Sequence, residues 1–213
     1  MTRGKFITLE GGEGAGKSTQ VKHLADFLRG AGIDVVLTRE VGGSFSAEAI
    51  RDLWLTQADG HWDAWTELLL IMAARREHLV KTVFPALDRG AWVISDRFAD
   101  STRAYQGIGL GLGVDTVNEV YRLIAKDFEP DLTLLLDLPV EIGFARVTKR
   151  CGPDDRYQQK NMDFHQKLRE AYLALAQKYA QRFRVVDASR DANAVAAEIE
   201  KIVRGHFGLL ISS

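Results

Sequence analysis

Residues 11–18 read Gly11-Gly12-Glu13-Gly14-Ala15-Gly16-Lys17-Ser18, followed by Thr19. Ahead of them lies KFITLE (residues 5–10), which has the pattern of a buried strand. Behind them Val21, Leu24 and Leu28 recur at helical spacing until Gly30 and Gly32 stop the run. The stretch is therefore G-x-x-x-x-G-K-[S/T] between a strand and a helix, the context in which that motif has a mechanism. Glycines let successive backbone N–H groups point inward as an anion nest. The helix start adds partial positive charge. Lys17 is placed to reach β- and γ-phosphates, and the Ser18 hydroxyl to ligate Mg²⁺. Residues 11–19 are the expected nucleoside-triphosphate cradle, which switches, motors and kinases all use.

Outward from the cradle, strand patterns recur at 34–38 (DVVLT), 91–95 (AWVIS), 132–137 (LTLLLD) and 183–187 (FRVVD). Between them lie helical patterns over 17–29, 47–55, 65–87, 115–128, 140 to about 150, 163–179 and 192–207. Near-continuous apolar strands separated by helices predict an α/β fold, a five-stranded parallel sheet covered on both faces. Ligands of such sheets sit beyond the carboxyl ends of the strands, so functional residues are expected just after strands. Three stretches break the pattern: 41–46, 99–113 and 151–161. No repeat or linker divides the chain, which reads as one domain over 1–213.

The chain has 28 Lys+Arg against 29 Asp+Glu, a net charge of -1. That balance excludes a general polyanion binder, so no nucleic-acid partner is expected. No apolar run approaches the roughly 20 residues that cross a bilayer. Residues 1–5 carry no signal-peptide pattern. The one cysteine, Cys151, cannot staple the fold, which points to a reducing, cytoplasmic setting. The five histidines lack metal-ligand spacing.

A second anion site is suggested by two arginines at strand ends, Arg39 in Thr38-Arg39-Glu40 and Arg97 in Asp96-Arg97. Arginine grips phosphate bidentately, and two of them facing a second phosphate make chemical sense. The plain alternative is an ion pair with Glu40 or Asp96. Asp96 also suits a carboxylate that holds the Mg²⁺ water shell. On the long helix, Leu68, Ile71, Met72 and Arg75 share a face. A charge continuing an apolar stripe needs a partner. Either Arg75 hydrogen-bonds a base carbonyl while Ile71 packs on the ring, or it is a buried arginine paired to a carboxylate. Ser101, Thr102, Tyr105 and Gln106 place hydroxyls, an aromatic and an amide near Arg97. Tyr105 suits stacking and Gln106 suits reading a base edge, with an ordinary surface loop as the alternative. The segment 146–156 is dense in cations and broken by Gly152 and Pro153. It reads as a mobile lid that brings arginines to a phosphoryl transition state, or as a solvated charged loop. No dedicated base stands out. A phosphate-monoester acceptor, with a second pKa of about 6, needs none. A hydroxyl acceptor would, and Glu10 is then the candidate, unless it contacts Mg²⁺-bound water or a substrate hydroxyl.

Taken together, LEGGEGAGKST (9–19), TREVGG (38–43), AARREH (73–78), DRFADSTRAYQG (96–107), PDLTLLLDLP (130–139) and the segment around Arg150 and Arg156 resemble the bacterial thymidylate kinase family over essentially the whole chain. The resemblance implies a P-loop nucleoside-monophosphate kinase fold with a short lid at about 149–161. It implies transfer of the ATP γ-phosphate to dTMP with Mg²⁺ in dTTP synthesis, and a homodimer packed through helices. By the same resemblance, Gly11, Gly12, Glu13, Gly14, Ala15, Gly16, Lys17, Ser18 and Thr19 hold ATP. Ser18 ligates Mg²⁺, and Arg39 and Arg97 grip the dTMP phosphate. Arg75 reads thymine, Tyr105 guards the deoxyribose and Gln106 lies beside the base. Lys17, Arg97, Arg150 and Arg156 are the expected catalytic cations, and Glu10, Ile71, Ser101 and Thr102 join the substrate site. Four positions depart from the family pattern. Val41 replaces a proline, and Ile71 stands where a phenylalanine stacks on the base. The lid reads Asp155-Arg156-Tyr157-Gln158, one carboxylate short, and Ile108-Gly109-Leu110-Gly111 replaces a more basic stretch. Ile71 motivates one competing reading, a pyrimidine kinase of shifted acceptor; a P-loop switch without transfer activity is another, against which the paired Arg39 and Arg97 speak, since a switch has no second phosphate to hold.

Overall fold

The computed structural model describes residues 3–56, 62–147, 157 and 160–209. Five strands form one parallel sheet: β1 (Phe6–Glu10), β2 (Val35–Arg39), β3 (Trp92–Asp96), β4 (Leu132–Asp137) and β5 (Phe183–Asp187), in the order β2-β3-β1-β4-β5. Every residue of β1 is buried, and β4 is buried until its last residue, whereas the two edge strands are exposed at several positions. This is the expected cost of covering both faces, since only central strands must be apolar throughout.

The two-residue period of β1 divides its side chains between the faces. Ile7 and Leu9 pack with α1 (Lys17–Gly30) and α9 (Ala192–Phe207), among Leu24, Leu28 and Val203. Phe6 turns to the opposite face and packs with Leu68 of α3 (Ala64–His78), Leu87 of α4 (Phe84–Asp88) and Tyr121 of α6 (Val114–Ala125). A third apolar cluster joins Trp54 of α2 (Phe45–Thr56) to Leu168 and Tyr172 of α8 (Met162–Lys178). Among the described residues no helix is long and apolar enough to cross a membrane.

The sheet and its order follow the sequence pattern, and three segments differ from it. The expected helix over 65–87 is three pieces: α3, a π-helical turn Leu79–Val83, and α4. Pro85 has no N–H for the carbonyl four residues before it, so regular bonding lapses there. The stretch 99–113, read as irregular, is helical over most of its length: α5 (Ala99–Thr102) runs into a π-helical segment Arg103–Gly109. Four of its inward residues, Asp100, Thr102, Arg103 and Gln106, are polar and are buried through hydrogen bonds, so no continuous apolar stripe marked it. Finally, β2 and β3 each end one residue later than expected, which places Arg39 and Asp96 inside the strands as register partners. The helix expected from 140 is α7 (Val140–Val147) as far as it is described. Most of the expected lid, with Arg150, Cys151 and Arg156, lies outside the described residues.

Candidate active site

The carboxyl ends of β1, β2 and β3 open onto one cavity of about 930 Å³. That is at the upper end of the roughly 300–1,000 Å³ usual for ligand pockets. Lys17, Arg39 and Arg97 all line it, so the expected cations do gather in one place.

The loop after β1 is built by glycine. Gly14 has φ +71°, and a Cβ there would lie 2.3 Å from the Gly143 carbonyl oxygen of α7. The loop thus rests backbone-to-backbone on α7, and only a residue without Cβ fits. Gly16, in the left-handed region, caps α1 and leaves its first amides facing the cavity side. Lys17 is nearly buried, and Nζ donates to the carbonyls of Gly11 (3.1 Å) and Gly12 (2.8 Å). Burial, assisted by the charge of Arg97, lowers its pKa. Anionic phosphate beside it would oppose that shift. Ser18 Oγ donates to Asp96 Oδ2 at 2.8 Å. Hydroxyl and carboxylate oxygens suit a hard cation such as Mg²⁺, which takes few protein ligands and completes its shell with water and phosphate. Among the described residues, no group of three or more Asp, Glu, His or Cys side chains is placed to hold a metal ion.

Arg97 has φ +68° and is the most constrained cation of the site. Its Nη1 donates to Gly11 O (3.1 Å), Ser101 Oγ (3.1 Å) and Tyr172 Oη (3.0 Å), and its Nη2 donates to Glu13 Oε1 at 2.6 Å. Its guanidinium carbon lies 5.3 Å from the Tyr105 ring centre. Burial alone would lower its pKa, but neighbouring Tyr105, Tyr172, Glu13 and Asp96 outweigh burial and hold it well above the ordinary arginine value. Arg39 is looser: half exposed, it pairs with Glu48 at 2.9 Å. The partners Glu13 and Glu48 replace Glu40 and Asp96, which sequence reasoning offered as the plain alternatives. Both true partners come from segments distant in sequence or beyond a turn, and no spacing marks them.

Arg75 is fully packed. Nε donates to Glu40 Oε2 at 2.7 Å and Nη2 to Thr102 Oγ1 at 2.8 Å, and it still borders the cavity. The buried-pair reading therefore describes its contacts, while its place on the wall keeps it within reach of a ligand. Burial would raise the Glu40 pKa, but Arg75 and His78 outweigh it and hold the carboxylate low. Ile71 lines the cavity, whereas Met72 packs into the core behind it. Ser101, Thr102, Tyr105 and Gln106 also reach the wall. Tyr105 Oη donates to Glu13 Oε1 at 2.9 Å. The segment is buried rather than a surface loop, with Tyr105 6% and Gln106 2% exposed.

Glu10 does not reach the wall of this cavity. It is fully buried, accepting from Phe98 N (2.8 Å) and Ser101 Oγ (2.6 Å). Burial and then the charge of Asp100 push its pKa up to about 7. It supports the segment that carries Arg97 and Ser101, and it stands behind the cavity wall rather than where a general base or a contact to a substrate hydroxyl is expected. Three groups were missed from sequence. Tyr172 lies on the buried face of α8 beside Leu168 and Leu175, so its spacing does not separate it from core. Glu67 and Tyr157 bond Gln106 from two distant segments. A signal for Glu67 did exist: it stands four residues before Ile71 and eight before Arg75, on the same helical face. Arg146, which donates to Ala188 O at 3.0 Å, also lines the cavity, together with Arg190 and Ala192.

Comparison with known proteins adds an independent finding. The family model described as "Thymidylate kinase" matches residues 9–199. Among curated relatives, the chain is 47% identical to "Thymidylate kinase" of Caulobacter vibrioides over 98% of this chain and 100% of that one. It is 49% identical to the "Thymidylate kinase" of Ruegeria pomeroyi, over 95% of this chain and 96% of that one. It is 50% identical to that of Pseudomonas putida, again over 95% and 96%.

Proposed function

The chain belongs to the thymidylate kinase family, and from that premise we propose a residue-level account of its reaction. The enzyme phosphorylates dTMP to dTDP with ATP as donor. The family match does not favour an acceptor-shifted kinase or a silent switch.

One observation carries the account: Lys17, Arg39 and Arg97, from separate segments, line a single cavity. ATP phosphates take the loop Gly11–Ser18 with Lys17, and the dTMP phosphate takes Arg39 and Arg97. The thymine lies against Ile71, Arg75 and Gln106, and the deoxyribose against Tyr105. Arg97 grips the acceptor phosphate while Glu13, Ser101 and Tyr172 hold its guanidinium, so little ordering is left for the moment of reaction. The acceptor phosphate, with a second pKa of about 6, is dianionic at neutral pH and attacks without a base. The retreat of Glu10 from the cavity wall agrees with that. Ser18 and Asp96 would hold Mg²⁺, which would supply charge neutralisation on the phosphates. Arg150 and Arg156 of the lid are the further cations for the transition state. The enzyme works as a homodimer in the cytoplasm, a reading supported by the apolar side chains exposed on α2, α3 and α6 and by the single cysteine.

A panel of nucleoside monophosphates, assayed with ATP and Mg²⁺ by ADP release, tests the account. dTMP is expected to rank first. ATP hydrolysis that no monophosphate stimulates would sink it.

A further inference from the structure

Gln106 carries an amide whose two ends differ chemically, and its surroundings choose which end meets the cavity. Nε2 donates to Glu67 Oε1 at 2.7 Å and to Tyr157 Oη at 3.0 Å, which uses both amide protons. Tyr157 Oη in turn donates to the same Glu67 oxygen. Among the described residues, Oε1 of Gln106 takes no hydrogen bond, and it is not sealed from solvent. Since Gln106 lines the cavity and is otherwise buried, the atom it shows there is an acceptor. Turning the amide over would set Oε1 against the Glu67 oxygen, acceptor facing acceptor in a buried place, which is costly.

We propose that Glu67 is a positioning residue for pyrimidine selection: by fixing the Gln106 amide with its oxygen toward the cavity, it makes the site accept a base with N–H at ring position 3 and reject one with a bare ring nitrogen there. The proposal rests on the reading above that Gln106 faces the base. Thymine and uracil carry that N–H; cytosine carries the bare nitrogen. Arg75, a donor only, borders the same cavity, and a donor beside an acceptor matches a ring carbonyl beside an N–H. Glu67, Ile71 and Arg75 lie along one face of α3, so a single helix turns a base-reading surface and its orienting carboxylate toward the same place. The 5-methyl group is read by packing alone, independently of Glu67.

The test is kcat/KM for dTMP, dCMP and dUMP in Glu67→Met, Glu67→Gln and Gln106→Leu. In Glu67→Met the carboxylate that accepts from Nε2 is gone, so the Gln106 amide is released to turn Nε2 toward the cavity. The dTMP:dCMP preference is expected to fall about tenfold or more, while dTMP:dUMP stays within about twofold. Glu67→Gln, which keeps one acceptor, is expected to fall about threefold, and it carries the test if Glu67→Met does not fold. An unchanged dTMP:dCMP preference in a folded Glu67 variant overturns the proposal, and so does an equal fall in both preferences. If Gln106→Leu also leaves dTMP:dCMP unchanged, the reading that Gln106 faces the base fails with it. If Gln106→Leu lowers it and the Glu67 variants do not, only the role of Glu67 fails.

Discussion

Arg97 shows how much of an active site can rest on one residue. It sits in a backbone conformation disfavoured for side chains with a Cβ, and five groups surround its guanidinium. Arg97→Ala is expected to lower turnover by about 10³-fold or more, with the circular dichroism spectrum unchanged, since Glu13 keeps its bond to Tyr105. Turnover close to the parent's would remove Arg97 from its assigned role. Glu10 gives a prediction of opposite kind, on stability. Its pKa rises from an ordinary 4.5 to about 7 on burial, so between those values the folded protein holds a proton that the unfolded chain has released. On this group's account, stability is fully present below the unfolded value and falls as pH rises through the window, by about 3 kcal/mol in all. Glu10→Gln should therefore lose less stability than the parent between pH 5 and pH 8 in urea titrations. Equal losses would show that Glu10 is not the titrating group. Glu10 was legible as a residue of interest because it ends the first strand. Its role was not legible, because whether a strand-end carboxylate faces a ligand or the core depends on what packs over it.

At the scale of elements, α7 does work that its sequence hides. Its Gly143 lies against the phosphate loop, and a Cβ there would stand 2.4 Å from the Glu13 carbonyl oxygen. Gly143→Ala should push the loop off α7, raise KM for ATP about tenfold and destabilise the fold by about 1–3 kcal/mol. Unchanged ATP kinetics would mean that the loop does not depend on this contact. Elements whose stability comes from apolar periodicity were legible: five strands, α1, α8 and α9. The segment 99–109 was not, because Asp100, Thr102, Arg103 and Gln106 are buried in it beside Ala99, Ala104 and Tyr105 and interrupt any apolar stripe. Arg103 bonds Asp100 at 2.8 Å, and Arg182 bonds Asp100 at 2.7 Å, so a polar network rather than an apolar stripe holds this helix in the interior. The pattern of a sequence reports hydrophobic burial and is silent about compensated polar burial.

At the scale of the whole molecule, α2, α3 and α6 expose Phe45, Leu53, Trp65, Leu69 and Leu123. Isolated apolar residues on a surface are ordinary, and several on helices packed against one another support the interface of the proposed homodimer. Leu69→Asp combined with Leu123→Asp is expected to shift the sedimenting mass from dimer to monomer; a monomeric mass for the parent would refute the homodimer proposed here, and a variant that stays dimeric would place the interface elsewhere. The sequence by itself determined the parallel sheet, the phosphate loop and the set of arginines near strand ends, because these depend on local chain geometry and on periods that burial imposes on neighbouring residues. Only the tertiary structure decided that Glu13 clamps Arg97, that Glu40 pairs with Arg75, that Glu10 turns inward and that Glu67 sets the Gln106 amide. The physical reason is common to all four: each is a pairing of polar groups from different elements, chosen by which charges and donors must be satisfied once the helices have closed over them, and no periodicity along a single chain records that choice.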